Sequence, residues 1–151
     1  MKKSFILLII LFLINLPSLY YSWYIQFSWV DTVQHFLGGF LVAMFMSYYL
    51  KDHLLERAFL KNMLIVIGVT TFVGVAWEFS EYIANQTLIK PFYYWFGIRA
   101  YFMGNLQDTI NDLLMDVIGS LVFCAFHLLR SREAHQAKSI LKNNGNGMTQ
   151  N

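Results

Sequence analysis

The chain holds a single cysteine in 151 residues, Cys124, set inside an apolar run. A disulfide framework and a zinc thiolate site are therefore excluded, and Cys124 reads as a small core or lipid-facing residue. Charge is scarce as well. Only 13% of residues are charged against 57% hydrophobic, and the mean hydropathy is +0.46. A soluble domain carries more charge than this, and the chain is too short for two large domains. The composition is that of a membrane protein, with the lipid bilayer as its first partner. The formal net charge is only +2, and no nucleic-acid partner is expected.

The first apolar stretch follows Met1-Lys2-Lys3 and closes on Tyr20, Tyr21, Trp23 and Tyr24. A cleaved signal peptide is the competing reading, but no A-x-A-like site follows the run, so a retained helix is expected. Its length suits a span of about 20 residues with aromatics at the far interface. Three more spans follow. The expected fold is all-α, a polytopic bundle of four transmembrane helices over residues 1–130, with spans near 4–24, 29–49, 60–83 and 108–129. Residues 131–151 read as a polar, disordered cytoplasmic tail. Between the third and fourth spans, residues 85–107 hold Phe92, Tyr93, Tyr94, Trp95, Phe96, Tyr101 and Phe102. Such amphipathic rings favour the headgroup level, so this loop reads as an interfacial segment and a candidate lid.

Basic residues set the expected orientation. With the amino terminus inside, nine of the eleven fall in the cytoplasm and only Lys90 and Arg99 lie outside. That bias predicts a multi-pass protein of the cell (inner) membrane with both termini cytoplasmic. His53, His127 and His135 then belong to cytoplasmic segments and read as ordinary surface residues.

The acids carry the functional argument. Asp108, Asp112, Asp116 and Gly119 fall within an arc of about 80° on one helix, at about 100° per residue. Three stacked like charges repel, and a low dielectric raises the cost. A metal ion, shared protons or a water-filled cavity must compensate them. With the orientation above, Asp31 and His35 stand at the outer end of the second span and Glu78 and Glu81 at the outer end of the third. Asp31, His35, Gly38 and Gly39 share an arc of about 100°. Thr71, Gly74, Glu78 and Glu81 share one side of the third helix, and small residues let membrane helices approach closely. An Asp near the membrane centre costs about 2.5–3.5 kcal/mol on insertion scales, so six uncompensated acids are untenable. One imidazole cannot neutralise them, unless Arg99 or Lys90 folds in.

Simpler roles compete for some of these residues. His35 alone is more often a helix-packing histidine bonded to a carboxylate. Glu81 fits a snorkelling residue as well as a site residue, and Asp31 and Asp108 fit helix amino-terminal caps. Glu78, Asp112 and Asp116 have no such alternative. Gly38, Gly39 and Gly119 read as packing contacts.

The combination Asp31-x-x-x-His35-Phe36, Glu78-x-x-Glu81 and Asp112-x-x-x-Asp116-x-x-Gly119 resembles the VanZ-like membrane proteins and the related YjdF-like family of unknown function. In the VanZ-like pattern an Asp and a His open one helix, Glu-x-x-Gln follows, and Asp-x-x-x-Asn-x-x-Gly ends the set. This chain has Glu81 in place of the Gln and Asp116 in place of the Asn. It looks closer to the YjdF-like branch, with Trp77-Glu78 and Gly104-x-x-x-Asp108-Thr109 also fitting. VanZ is associated with low-level resistance to a glycopeptide antibiotic. The two extra carboxylates argue against carrying that role over and favour a cation site.

The residues therefore predict a divalent-cation-dependent enzyme acting on a lipid-linked or phosphate-bearing envelope substrate. His35, Glu78, Asp108, Asp112 and Asp116 are the expected ligands to Mg, Mn, Ca or Zn. Among them Asp112, Asp116 and Glu78 are the expected catalytic groups, and Arg99 would meet the substrate anion. Asp31 and Glu81 are expected behind the ligands, with Asp31 orienting His35. An ion or proton-coupled transporter is one alternative, although the acids stop halfway and a continuous path would then require an oligomer. A non-catalytic envelope or antibiotic-tolerance protein is the other.

Overall fold

A computed structural model describes residues 2–27, 29–54, 58–102 and 104–147, with side chains through His127. The described residues form six helices and no strand. They are α1 (Lys2–Tyr20), α2 (Trp23–Gln26), α3 (Trp29–Tyr49), α4 (Phe59–Thr87), α5 (Ile89–Phe96) and α6 (Leu106–Gly147). Four segments are long and apolar enough to cross a membrane: Lys2–Tyr20, Trp29–Tyr49, Phe59–Thr87 and Leu106–His127.

Helix α3 is the hub. It packs against α1, α4 and α6, and α4 also packs against α6, whereas α1 packs at backbone level only on α2 and α3. The tightest crossing joins α3 to α6 and depends on two glycines. A β-carbon on Gly39 would collide with the backbone carbonyl of Asp116, and one on Gly119 would collide with the carbonyl of Phe36 and the amide of Phe40. The two backbones therefore touch, which is how small residues draw membrane helices together. On α1 the same logic buries Ser4 and Ser18 while Phe5, Phe12 and Leu16 stay exposed on the bundle surface. The Ser18 hydroxyl donates to the Ile14 carbonyl, so its burial leaves no unmet donor.

Away from the acids, Ala43, Val66, Phe123 and Cys124 form an apolar core, with Phe40 and Phe123 edge to face at 5.5 Å. At the opposite end two short helices join the four spans. Helix α1 carries Pro17 and stops at Tyr20; Ser22 turns the chain with φ 56°, and one helical turn, α2, precedes α3. Trp23 and Tyr24, which read as the end of span one, thus sit on a separate element. The interfacial loop contains α5, whose helix ends at Gly97 with φ 67°, a conformation that suits glycine at a helix carboxyl end. Tyr94, Trp95 and Phe96 stand exposed, while Phe92 turns inward against Phe102 at 5.5 Å. The backbone of α6 continues as helix to Gly147, through the stretch read as a polar tail. Arg130–Leu141 supplies mostly good helix formers, so a continuous backbone there is locally favoured.

Candidate functional site

Helices α3, α4 and α6 deliver their polar faces to one point. His35 lies at its centre, 6% exposed, with Glu78 at 6%, Asp112 at 3% and Asp116 at 6%. The imidazole reaches carboxylates on three helices. Its Nδ1 is 3.4 Å from Asp116 Oδ2, and its Nε2 is 3.7 Å from Glu78 Oε1 and 3.8 Å from Asp31 Oδ1. With the proton on Nδ1, His35 donates to Asp116 and turns the Nε2 lone pair toward Asp31 and Glu78. A histidine held in this way is the arrangement found behind metal ions, where a carboxylate fixes the tautomer of the ligating ring.

Three overlapping sets bring ligand atoms within 4.8 Å of one another: Asp31, His35 and Glu81; His35, Glu78 and Asp112; and Asp31, Asp108 and Asp112. Ligands on opposite sides of one ion bound at about 2.0–2.6 Å are separated by about 4–5 Å, so these spacings fit a single cation. Two of the innermost oxygens, Glu78 Oε1 and Asp112 Oδ1, are buried without a hydrogen-bond partner among the described residues. The buried Thr109 hydroxyl neighbours Glu78 without a bond of ordinary length. Buried carboxylate oxygens seldom go without a donor or a positive partner, because desolvation is then uncompensated.

Each residue singled out in the sequence has a definite place here. His35, Glu78 and Asp112 converge in the buried interior. Asp31 and Glu81, read as supporting groups, stand within ligating range, and the Trp77 indole holds Glu81 Oε1 at 2.9 Å. Asp116 lies on the other side of the imidazole, at Nδ1. Its carboxylate rests against Gly74, where a β-carbon would collide with it, and lies at ordinary contact distance from Gly38. Asp108 is at the rim, folded over Gly104. The cap of α6 falls to Asn105, whose Oδ1 accepts from the Gln107 and Asp108 amides at 2.9 and 3.1 Å. Arg99 is exposed on the loop after α5, and no ion pair among the described residues joins it to the cluster.

Two cavities open beside the acids. One, about 220 Å³, is bounded by Leu8, Leu11 and Phe12 on α1, Val73 and Trp77 on α4, and by Asp31, His35 and Asp116 at its polar wall. The other, about 290 Å³, continues from it toward α5 and ends under Phe92, Tyr101 and Phe102. Asp31 borders both. Residues 2–133 match the family model described as a predicted membrane protein (DUF2238). The chain belongs to that family. No curated protein and no solved structure matches it. Membership of DUF2238 agrees with four spans in a bilayer, and its description names no reaction.

In the sequence α1 reads only as a retained first span, yet it carries a polar bracket beside the site. In this DUF2238 chain the Tyr24 hydroxyl bridges the Asn15 and Gln34 side chains at 2.5 and 2.8 Å, and Gln34 Nε2 donates to Ser18 at 3.3 Å. Asn15 borders both cavities. An asparagine interrupting a long apolar span was the available signal. Tyr24 lies outside the spans, and burial pushes its phenol above the ordinary value of 10.0, with Asp31 and Glu81 adding to the shift.

Proposed function

We propose that the protein is a membrane enzyme that binds a divalent cation among His35, Glu78 and Asp112 and acts on a lipid-linked or phosphate-bearing substrate. The observation that carries this reading is the pair of buried, donor-less carboxylate oxygens, Glu78 Oε1 and Asp112 Oδ1, beside His35. Carboxylate oxygens with one imidazole suit Mg, Mn, Ca or Zn. Such a cation polarises a phosphoryl oxygen or lowers the pKa of bound water. Asp116 orients His35 from Nδ1, and Asp31, which faces both cavities, is positioned as the general base. Asp108 and Glu81 complete the rim, and Arg99 supplies positive charge for a substrate anion.

The same reading puts the site on the outer side of the cell membrane with both termini in the cytoplasm, since nine of eleven basic residues then lie inside. Within DUF2238, Glu81 and Asp116 favour the YjdF-like over the VanZ-like pattern. One observation supports a second reading, a structural clamp without turnover: among the described ion pairs, those of His35 tie α3 to both α4 and α6. A transporter has no such support, because below Asp116 the packed faces turn to the apolar core.

Elemental analysis of purified protein tests the first reading. Wild type should carry a divalent ion and Asp112→Asn should lose it, together with the activity or cellular phenotype. Equal metal content in the two proteins, or full activity in folded Asp112→Asn and Asp116→Asn, overturns it.

A further inference from the structure

Helix α1 leaves a gap that the other three long helices do not. It packs on α3 alone among them, and no backbone-level packing joins it to α4. A single ring pair spans the mouth, Phe12 against Trp77, edge to face at 6.0 Å. Behind this pair the two cavities share Phe12, Asn15, Asp31 and Trp77 and so form one two-lobed cleft. Its lining runs along α1 from Leu8 to Leu19, about 16 Å at 1.5 Å per residue, close to half of a hydrocarbon core of about 30 Å. The cleft is thus about one leaflet deep.

Its chemistry is divided in the same way as that of an amphiphile. One wall is Leu8, Leu11, Leu16 and Val73; the opposite side is Asp31, His35 and Asp116, with Glu81 higher up. An ion or water-soluble substrate has no use for a slot of leucines opening on lipid, and an alkane has none for the carboxylates. We propose that the α1–α4 cleft is a lateral entry that takes the acyl chain of a phospholipid and delivers its phosphate to the acidic cluster. The chain lies along Leu8–Leu19, Phe12 and Trp77 part to admit it, and the head group meets the cluster beside Asp31. The head-group half of this proposal rests on the cation reading above; the chain half rests on the cleft alone.

Native mass spectrometry of the full-length protein in detergent, with dioleoyl phosphatidylglycerol as probe, tests it. Wild type should retain a lipid adduct. Val73→Trp, which fills the cleft, should weaken it about tenfold or more while metal content stays unchanged. Phe79→Trp, on the lipid-facing side of α4 at 65% exposure, should leave it intact. Gly38→Val serves as a gentler obstruction if Val73→Trp does not fold, because a β-carbon there meets only ordinary contacts. Equal lipid retention in the folded cleft-filling variant and in Phe79→Trp overturns the proposal, as does no adduct in wild type. Displacement by Val73→Trp in a protein without metal upholds the entry and removes the cation reading, so the two fail separately.

Discussion

Around Ala43, Val66, Phe123 and Cys124 the helices meet through apolar side chains, whereas two turns away along α6 they meet through three carboxylates and an imidazole. Lipid tails solvate the first region nearly as well as a neighbouring helix does, so only close packing and shape hold it. Lipid cannot solvate the second at all. Its polar groups must find one another or an ion, and each failure costs several kcal/mol. The apolar half therefore tolerates change in proportion to volume, and the cluster half in proportion to charge left unmatched. Gly119 and Gly39 stand at the boundary and fix both halves at once, because the backbone contact they allow sets how close α3 comes to α6.

That contrast can be broken most forcefully at His35. Replacing it by alanine leaves the buried Asp116 carboxylate without its donor at Nδ1 and takes away the ring that Asp31 and Glu78 face, and an uncompensated buried charge costs about 3–5 kcal/mol. Reversible unfolding in mixed detergent should record that loss, and chelator should no longer shift the variant. A His35→Ala protein as stable as wild type would mean that the imidazole holds nothing together. Gly119→Ala should cost about 3 kcal/mol, the upper end for overpacking, since the new methyl meets backbone at Phe36 and Phe40 rather than a yielding side chain. The same melt should show it, with loss of chelator response if the crossing also sets the cluster.

Phe123→Ala probes the apolar half by itself. Soluble cores lose about 3–5 kcal/mol for such a truncation, but here the transfer term is small and the cavity term remains, so about 2 kcal/mol is expected. Chelator should act on this variant as it does on wild type; a changed response would show that the halves are one unit. The smallest effect belongs to Tyr24. Its phenol titrates above the ordinary 10.0 because it is buried, so the folded state holds the proton longer than the unfolded chain. The stability this supplies is fully present below about pH 10 and is lost as pH rises above it. Tyr24→Phe should remove that alkaline decline and cost about 1 kcal/mol at neutral pH through the broken bracket to Asn15 and Gln34. An unchanged alkaline limb would assign the decline to another group.

Much of this architecture was legible in the chain. Hydropathy over about 20 residues and a 3.6-residue period are local properties, so the four spans, the acidic stripe Asp108–Asp116 and the shared face of Asp31 and His35 could be read directly. The short elements were harder. Helix α5 is aromatic throughout and has the composition of an interfacial loop, and α2 depends on a left-handed Ser22 that no pattern announces. The cap at Asn105 was hidden by the acid three residues on, which has equal intrinsic preference for that position.

What the sequence determined by itself was membrane residence, the number of long apolar helices, and the fact that buried acids demanded a partner. Only the tertiary structure decided which side of the His35 ring each carboxylate takes: Asp116 at Nδ1, Asp31 and Glu78 at Nε2. It also decided that α1 stands off α4 and leaves a cleft. The reason is that periodicity fixes which residues share a face, while the rotation of each helix and the depth of each crossing are set by contacts between distant glycines, as at Gly39 and Gly119.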